Sequence, residues 1–295
     1  MKLHAQQILA ALLLLGTQAS SAMAQHLERD LAYGPDSLQR LDLSTPASRG
    51  FPTLIFIHGG SLTSGDKGDE DYRAVCAPFP AEGIACASIN YRLGPINRWP
   101  AQAQDVAAAV AWLRANIAER GGDPASLFLF GHSSGAALAA LLGADERYLH
   151  DQGLATTDLR GVIAMGSIMW DNDLEQAVTR RGVKEMEQRF PKIPDFAMYQ
   201  SLEMYRDHWP IGHVRRGMPP YLFLIADSER VQPPILKTDS TFVARAIALG
   251  NHAEYQVLPG RSHYSAIRRI GEPGDSAFAL VHDFVMLNRS AGDSP

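Results

Sequence analysis

The sequence predicts an α/β protein with a mostly parallel, doubly wound sheet. Apolar segments of strand length alternate along the chain with longer segments of helical character, which is the pattern of strand–helix–strand units. The continuous apolar run from Phe51 to Ile57 is typical of a strand that is covered on both faces. At Gly131 to Gly135, a Gly-x-Ser-x-Gly sequence separates another apolar run from an alanine-rich segment. Sites in such sheets lie at the carboxyl ends of the strands.

The individual elements follow from the period of the apolar residues. Leu27 to Tyr33 and Gln39 to Leu43 alternate and predict a β-hairpin near the surface. The other predicted strands are Phe51 to Ile57, Ile84 to Tyr91, Leu127 to Phe130, Leu159 to Met165, Tyr221 to Ala226 and Ala253 to Leu258. The predicted helices are Asp71 to Phe79, Pro100 to Glu119, Ser134 to Leu142, Thr238 to Leu249 and Ser276 to Leu287.

The interval 168–218 interrupts this alternation. It is charged and rich in aromatic residues, and a structureless loop of that length is uncommon in a compact domain. We predict a helical cap inserted over the strand ends, with an ordinary helix pair beside the sheet as the alternative. No internal repeat or low-complexity linker divides the chain, so a single domain is predicted over residues 25–295.

The first 24 residues have the features of a secretory signal peptide. Lys2 supplies a basic start, Ile8 to Leu15 is a short apolar segment, and Ala22 to Ala24 matches a cleavage site. The apolar segment is too short for a transmembrane helix, which needs about 20 residues. We therefore expect a periplasmic or secreted protein that begins at Gln25 and has no stable membrane anchor.

Composition excludes several classes of protein. A formal charge of −5 is not the basic balance that nucleic-acid binding requires. Cys76 and Cys86 are the two cysteines; they either form a disulfide, which export permits, or are small buried residues. Two cysteines without clustered histidines do not form a zinc site, and no metal or other cofactor is predicted. The sequence does not indicate an oligomeric state.

Ser133 is the candidate nucleophile, at the centre of the predicted strand-to-helix turn. In a nucleophile elbow, such a turn holds the serine above the sheet. Gly131 and Gly135 allow the strand and helix backbones to approach closely, and the following helix directs its positive dipole end at the site. A serine hydroxyl needs a base that is oriented by a third group.

His263 is the candidate base. Three histidines follow the strand that ends at Ala226. His252 precedes the last strand, at the wrong edge of the sheet, and His282 lies within the last helix. His263 follows the carboxyl end of the last strand, in a loop that can approach the elbow, where a general base is needed.

An oxyanion formed at this site needs preorganised N–H donors. One is predicted to be the backbone N–H of Ser134, directly after the nucleophile, and the others come from a loop after an earlier strand. We predict Gly60 and Ser61 there, with His58 supporting the loop. A phosphate-binding turn is the rival interpretation, but the chain has no Gly-x-x-x-x-Gly-Lys sequence.

These motifs together resemble the carboxylesterase branch of the α/β-hydrolase superfamily, which includes hormone-sensitive-lipase-like esterases, feruloyl-esterase-like hydrolases and kynurenine formamidases. The resemblance extends from about Leu31 to Leu287 without the region 168–218. It rests on His58-Gly59-Gly60, Gly65-Asp66-Lys67, Asn90-Tyr91-Arg92-Leu93, Gly122-Asp123-Pro124, Gly131-His132-Ser133-Ser134-Gly135 and Gly260 to His263.

The resemblance implies an α/β-hydrolase catalytic domain over residues 25–295 and a serine hydrolase without metal or organic cofactor. Its substrate would be a small-molecule carboxylic ester, cleaved through an acyl-enzyme. Two alternatives remain open. One is hydrolysis of amides or formamides at the same site, and the other is a non-catalytic binding protein on the same scaffold.

The resemblance also implies the acid of the triad. In these families it stands three residues after the small residue that ends the strand, which points from Ala226 to Glu229. Asp227 is the alternative, with a shorter side chain but a position two residues earlier. Here Ala226 to Glu229 replaces the usual Gly-x-x-Asp, and Ser61 replaces a third glycine. The expected triad is Ser133, Glu229 and His263.

Overall fold

The computed structural model describes residues 26–167, 198–199, 201–230 and 233–289. The predicted signal peptide and most of the predicted cap at 168–218 lie outside the described residues. The strands are β1 (His26–Ala32), β2 (Arg40–Thr45), β3 (Phe51–Ile57), β4 (Ala85–Ile89), β5 (Gly122–His132), β6 (Leu159–Met165), β7 (Tyr221–Ala226) and β8 (Ala253–Leu258).

These strands form one eight-stranded sheet in the order β1-β2-β4-β3-β5-β6-β7-β8. The β1–β2 hairpin and the β2–β4 pair are antiparallel, and every later pair is parallel. Ile57 pairs with Gly131, and Met165 pairs with both His132 and Leu224. The carboxyl ends of β3, β5, β6 and β7 therefore meet at one edge, and the predicted fold class is confirmed.

The α-helices within the described ranges are α1 (Ala101–Asn116), α2 (Ser134–Ala144), α3 (Glu146–His150), α4 (Leu202–Asp207), α5 (Pro233–Ala248), α6 (His263–Arg268) and α7 (Ser276–Asn288). None of them is long and apolar enough to cross a bilayer. The predicted bounds of β3, β6, β7 and β8 agree with the structure. β3, β6 and β7 are mostly apolar and are followed by His58, Gly166 and Asp227, whereas β8 alternates and is followed by Pro259, and both patterns mark the limits of a strand.

Two apolar layers cover the two faces of the sheet. Successive strand residues point to opposite faces, so Ile55 and Leu129 pack on one side with α1, α2 and α5. Phe56 and Phe130 pack on the other side with α6 and α7. The sheet is thus buried on both faces, as the apolar run in β3 predicted.

The segment from Asp71 to Phe79 was predicted to be a helix, and this prediction is wrong. It consists of successive turns followed by a short 3-10 helix at Phe79–Glu82. A disulfide joins Cys76 in this segment to Cys86 in β4. The cross-link and the burial of Val75 fix these turns against the sheet, so tertiary contacts override the helical pattern.

Candidate active site

The predicted nucleophile lies at a tight turn between β5 and α2. Ser133 has φ 56° and ψ −123°, a sparsely populated conformation for a residue with a side chain. A Cβ on Gly131 would lie 2.1 Å from the carbonyl oxygen of Gly135, and a Cβ on Gly135 would lie 2.2 Å from that of Ile57. The N–H of Ser133 donates to the carbonyl oxygen of Met165 at 2.9 Å. The turn therefore depends on backbone approaches that only glycine allows.

His263 and Glu229 form a hydrogen-bonded pair. Nδ1 of His263 lies 2.5 Å from Oε1 of Glu229. Because this nitrogen faces a carboxylate, it carries the proton, and Nε2 of the neutral ring is left as the basic nitrogen. Glu229 is 2% exposed, and its Oε2 accepts the N–H of Ala226 at 2.7 Å. Both oxygens of this buried carboxylate are thus satisfied.

Asp227, the alternative acid, points elsewhere. Its side chain is 45% exposed and lies 3.4 Å from the guanidinium of Arg230. Its other oxygen lies 3.4 Å from the N–H of Gly260. The structure therefore brings Glu229, and not Asp227, to His263.

His132 and Gly166 place this pair beside the nucleophile. The rings of His132 and His263 have centroids 4.6 Å apart, and Nε2 of His132 donates to the carbonyl oxygen of His263 at 3.0 Å. A Cβ on Gly166 would lie 2.9 Å from both Nδ1 of His263 and Oε1 of Glu229. Since His132 directly precedes Ser133, the three predicted triad residues gather at one edge of the sheet.

Tyr72 contacts His132 at the ring nitrogen that does not face His263. Because Nε2 of His132 faces a carbonyl and must donate, its Nδ1 is unprotonated and accepts from the Tyr72 hydroxyl at 3.2 Å. Burial, and then the neighbouring His263, lower the pKa of His132 to about 3. His132 is therefore neutral throughout the physiological range. Sequence reasoning missed both residues, since His132 occupies a variable position of the motif and Tyr72 fell in the wrongly predicted helix.

The loop after β3 passes directly beside the nucleophile. A Cβ on Gly59 would lie 2.9 Å from the Cβ of Ser133. Three consecutive residues then have positive φ, with values of 115° at Gly60, 55° at Ser61 and 63° at Leu62. For the two residues with side chains, this left-handed conformation is unfavourable by about 1–2 kcal/mol each. The loop must therefore be held by contacts outside itself.

Ser134 and Tyr91 supply those contacts. The hydroxyl of Ser134 accepts the N–H of Leu62 at 3.3 Å and lies near the Tyr91 hydroxyl. The Tyr91 hydroxyl donates to the carbonyl oxygen of His58 at 2.9 Å, and the two rings stack with centroids 4.5 Å apart. His58 thus lies under the loop as a support, in agreement with its predicted place.

The predicted oxyanion donors have no hydrogen-bond acceptor among the described residues. Within residues 26–167, 198–199, 201–230 and 233–289, the N–H groups of Gly60, Ser61 and Ser134 donate no hydrogen bond. In the same ranges, no group of three or more His, Cys, Asp or Glu side chains could hold a metal ion. The site is made of one serine, one histidine, one carboxylate and unpaired backbone N–H groups.

Comparison with known proteins places this arrangement in a family. Residues 41–235, more than half of the chain, match the model of the BD-FAE family. The chain belongs to the BD-FAE family. It is 30% identical over 269 residues to the esterase LipC of Mycobacterium tuberculosis, a match that covers 89% of this chain and 66% of LipC. This confirms membership of an α/β-hydrolase carboxylesterase family.

Solved structures agree on the fold of this BD-FAE protein. A truncated carbohydrate esterase from gut microbiota superposes with a TM-score of 0.72 at 18% identity, covering 91% of this chain and 98% of that one. An inhibited esterase B from Lactobacillus rhamnosis gives 0.69 at 20% identity, covering 96% and 93%. The chain spans between 48% and 66% of the length of the curated relatives that it matches first.

Lys67 anchors the loop of this BD-FAE protein from its far end. Its ammonium group lies 2.8 Å from a carboxylate oxygen of Asp30 and 2.7 Å from one of Asp42. The backbone N–H of Lys67 donates to the side-chain oxygen of Asn90 at 2.6 Å, and the side-chain amide of Asn90 donates in turn to the carboxylate of Asp66. The Gly-Asp-Lys and Asn-Tyr-Arg-Leu motifs therefore meet beneath the loop that carries the predicted oxyanion donors.

A second buried carboxyl lies behind the acid. Asp239 in α5 is fully buried, and one of its oxygens accepts the Ser167 hydroxyl at 2.6 Å. Burial, with a contribution from nearby Glu229, raises the pKa of Asp239 well above its usual range. Burial thus favours the neutral form of Asp239, a feature that its position in a predicted helix did not reveal.

Proposed function

We propose that this chain is an exported serine hydrolase that cleaves carboxylic esters. The observation that carries the proposal is the double contact of His263, which meets Glu229 on one side and His132, the neighbour of Ser133, on the other. Membership of the BD-FAE family and the similarity to LipC, named an esterase, support the reaction class.

In the first half of the proposed reaction, Oγ of Ser133 attacks the ester carbonyl carbon while Nε2 of His263 takes its proton. Glu229 keeps the other ring proton on Nδ1 and stabilises the imidazolium that forms. The carbon–oxygen bond to the alcohol then breaks, and His263 gives its proton to the leaving alkoxide. The acyl group remains on Ser133.

In the second half, His263 takes a proton from water as the water oxygen attacks the acyl carbon. The bond to Ser133 breaks, the serine oxygen regains its proton from His263, and the carboxylic acid leaves. Both halves develop negative charge on the same carbonyl oxygen. We assign the stabilisation of that charge to the N–H groups of Gly60, Ser61 and Ser134, and one such donor typically contributes about 2.7–4 kcal/mol.

The test is covalent labelling with a fluorophosphonate, which reacts with activated serines. We expect one adduct per chain in the wild type and none in Ser133→Ala, with loss of nearly all hydrolysis of p-nitrophenyl acetate in the same variant. Ser228→Ala is the matched control, since Ser228 is exposed and directly precedes Glu229; it should label and turn over as the wild type does.

Two results would contradict the proposal. Wild-type activity in Ser133→Ala would exclude the nucleophile, and a folded wild type that does not label would favour a binding protein on this scaffold. A panel that adds N-formyl and peptide substrates separates ester from amide hydrolysis. If formamides are turned over faster than esters at equal concentration, the proposed substrate class is amides and not esters.

Export is a separate part of the proposal. It is supported by the pattern of residues 1–24 and by the Cys76–Cys86 disulfide, a bond typical of oxidising compartments. Mass spectrometry of protein recovered outside the cytoplasm should give an N-terminus at Gln25. Recovery of the intact chain from Met1 in the cytoplasm would overturn this part and leave the proposed reaction untouched.

A further inference from the structure

An exposed aromatic side chain lies directly beside the candidate base. Tyr264 follows His263 at the start of α6 and is 51% exposed. Its ring centroid lies 5.2 Å from that of His263, with the two planes nearly perpendicular, and 6.3 Å from that of His132. Aromatic residues normally bury most of their surface, so this position leaves a large apolar face open at the site.

The ring is also held in place. The guanidinium of Arg268, one turn later in α6, lies 5.2 Å from the centroid of the Tyr264 ring, a distance typical of a cation–π contact. Arg268 is itself fixed by an ion pair with Asp71. Ser262 caps the helix by accepting the N–H of Ser265 at 3.2 Å. A fixed, half-open ring loses little conformational freedom when a ligand stacks on it.

The chemistry of the site says which part of an ester would meet this ring. His263 must reach the oxygen of the departing alcohol in order to protonate it. The alcohol portion of the ester therefore lies next to the imidazole, and a side chain in contact with the imidazole lies next to that portion. The acyl portion stays on Ser133 and is directed away from the leaving oxygen.

We propose that Tyr264 is a specificity-determining residue that stacks on the alcohol portion of the substrate and favours esters whose alcohol contains a ring with an apolar face. This inference rests on the proposed function, since it assigns the alcohol side through the role of His263. Both aryl and pyranose alcohols present such a ring face, and stacking on it requires no group beyond the tyrosine ring.

The experiment compares acetates that differ only in the alcohol: phenyl acetate, an acetylated methyl pyranoside and ethyl acetate. All three give the same acetyl-enzyme, so deacylation is common to them, and kcat/KM reports the acylation half in which the alcohol is still bound. Tyr264→Ala should lower kcat/KM for at least one ring-bearing acetate by roughly five- to tenfold and change that for ethyl acetate by less than about twofold. Tyr264→Phe, which keeps the ring, should stay close to the wild type.

Tyr255→Ala is the matched control, because Tyr255 is similarly exposed at 42% but lies in the edge strand β8; it should leave all three values unchanged. A lower kcat/KM for only the aryl or only the pyranoside acetate supports the inference and identifies which kind of alcohol Tyr264 favours. An equal loss for all three acetates, or a loss in Tyr264→Phe as large as in Tyr264→Ala, overturns it.

The two proposals fail in different ways. If the wild type hydrolyses none of these acetates, or if Ser133→Ala remains active, the proposed function is wrong. If the wild type is active, Ser133→Ala is not, and Tyr264→Ala shows no dependence on the alcohol, only the role of Tyr264 is wrong. Thermal unfolding of each variant confirms that the compared proteins are folded.

Discussion

The two segments that contribute the loop donors and the acid of the candidate site achieve their geometry by different means. The loop 58–62 presents backbone N–H groups and adopts three consecutive positive φ angles to do so. The segment 226–230 presents one side chain, that of Glu229, from an ordinary short 3-10 helix. The first loop is supported by side chains from outside it, whereas Glu229 is held by its own bonds to Ala226 and His263.

The difference shows what each kind of group demands of a sequence. Backbone donors need a particular chain path, so the loop requires glycine at Gly60 and an external support at Ser134 and Tyr91. A side-chain acceptor needs only the right residue at the right distance from the end of a strand. Changes in the first loop should therefore act through conformation, and changes in the second through the chemistry of one group.

The largest effect is expected from the acid segment. Glu229→Gln keeps the size of the side chain but no longer fixes the tautomer of His263, and in a related triad such a change lowers kcat by about 10⁴. We expect a fall of roughly 10³–10⁴ in kcat for p-nitrophenyl acetate. Asp227→Asn is the control and should change kcat by less than about twofold; the reverse result would make Asp227 the acid.

The next effect is expected from the glycine of the first loop. Gly60→Ala places a Cβ 2.1 Å from the carbonyl oxygen of Ser64, so the loop must leave its path and withdraw its N–H donors. A loss of roughly 10²–10³ in kcat follows from the usual effect of removing one oxyanion donor. Gly50→Ala is the control, because Gly50 also has positive φ but open space around it; it should cost stability by about 1 kcal/mol and leave kcat unchanged.

A smaller effect is expected when the support of the loop is removed. Ser134→Ala keeps the backbone donor at this position but deletes the acceptor of the Leu62 N–H, a bond worth about 0.5–1.5 kcal/mol. We expect kcat to fall by roughly three- to tenfold with little change in KM. Adding Ser61→Gly removes the strain of one residue with left-handed φ and should restore part of the lost kcat. If the kcat of the double variant is no higher than that of Ser134→Ala, the Ser134 hydroxyl does not act by holding a strained loop in place.

The last effect concerns the stability of the protein, which the buried His132 makes dependent on pH. Its folded-state pKa of about 3 lies below the value of about 6.5 in the unfolded chain. Between these values the unfolded state binds more protons, so this histidine makes the protein lose stability as the pH falls, by about 1.4 kcal/mol per pH unit at most. His132→Gln should unfold with a shallower pH dependence below pH 6.5.

Urea unfolding at pH 7, 5.5 and 4.5 measures this dependence. The variant is expected to have a lower free energy of unfolding than the wild type at pH 7, because the contacts of residue 132 with Tyr72 and His263 change. The difference in the free energy of unfolding between the two proteins should narrow as the pH falls. His282→Gln, on the outer side of α7, should not narrow it. A constant difference in the free energy of unfolding would mean that His132 takes up its proton in the folded protein as it does in the unfolded chain.

Much of the fold was predictable from the sequence because both faces of the sheet are buried. β7 is an uninterrupted apolar run, β3 and β6 are mostly apolar, and the limits of all three were predicted correctly. The segment 71–79 was not, because a disulfide and packing decide its conformation. Within the candidate site, Ser133 was predicted from its Gly-x-Ser-x-Gly turn and His263 from its place after the last strand. Tyr72, His132 and Gly166 act through contacts between distant segments, which no local pattern shows.

One consequence of the strand order concerns heat inactivation. Among the strands of the described residues, β8 has a neighbour on one side only, and α6, which begins at His263, follows it directly in the chain. Edge elements open locally at lower free-energy cost than the centre of a sheet. Loss of the β8 edge would therefore withdraw the imidazole while β3, β5 and the serine turn remain paired. Turnover would then decline below the temperature of global melting, and it would return on cooling without any refolding of the central strands.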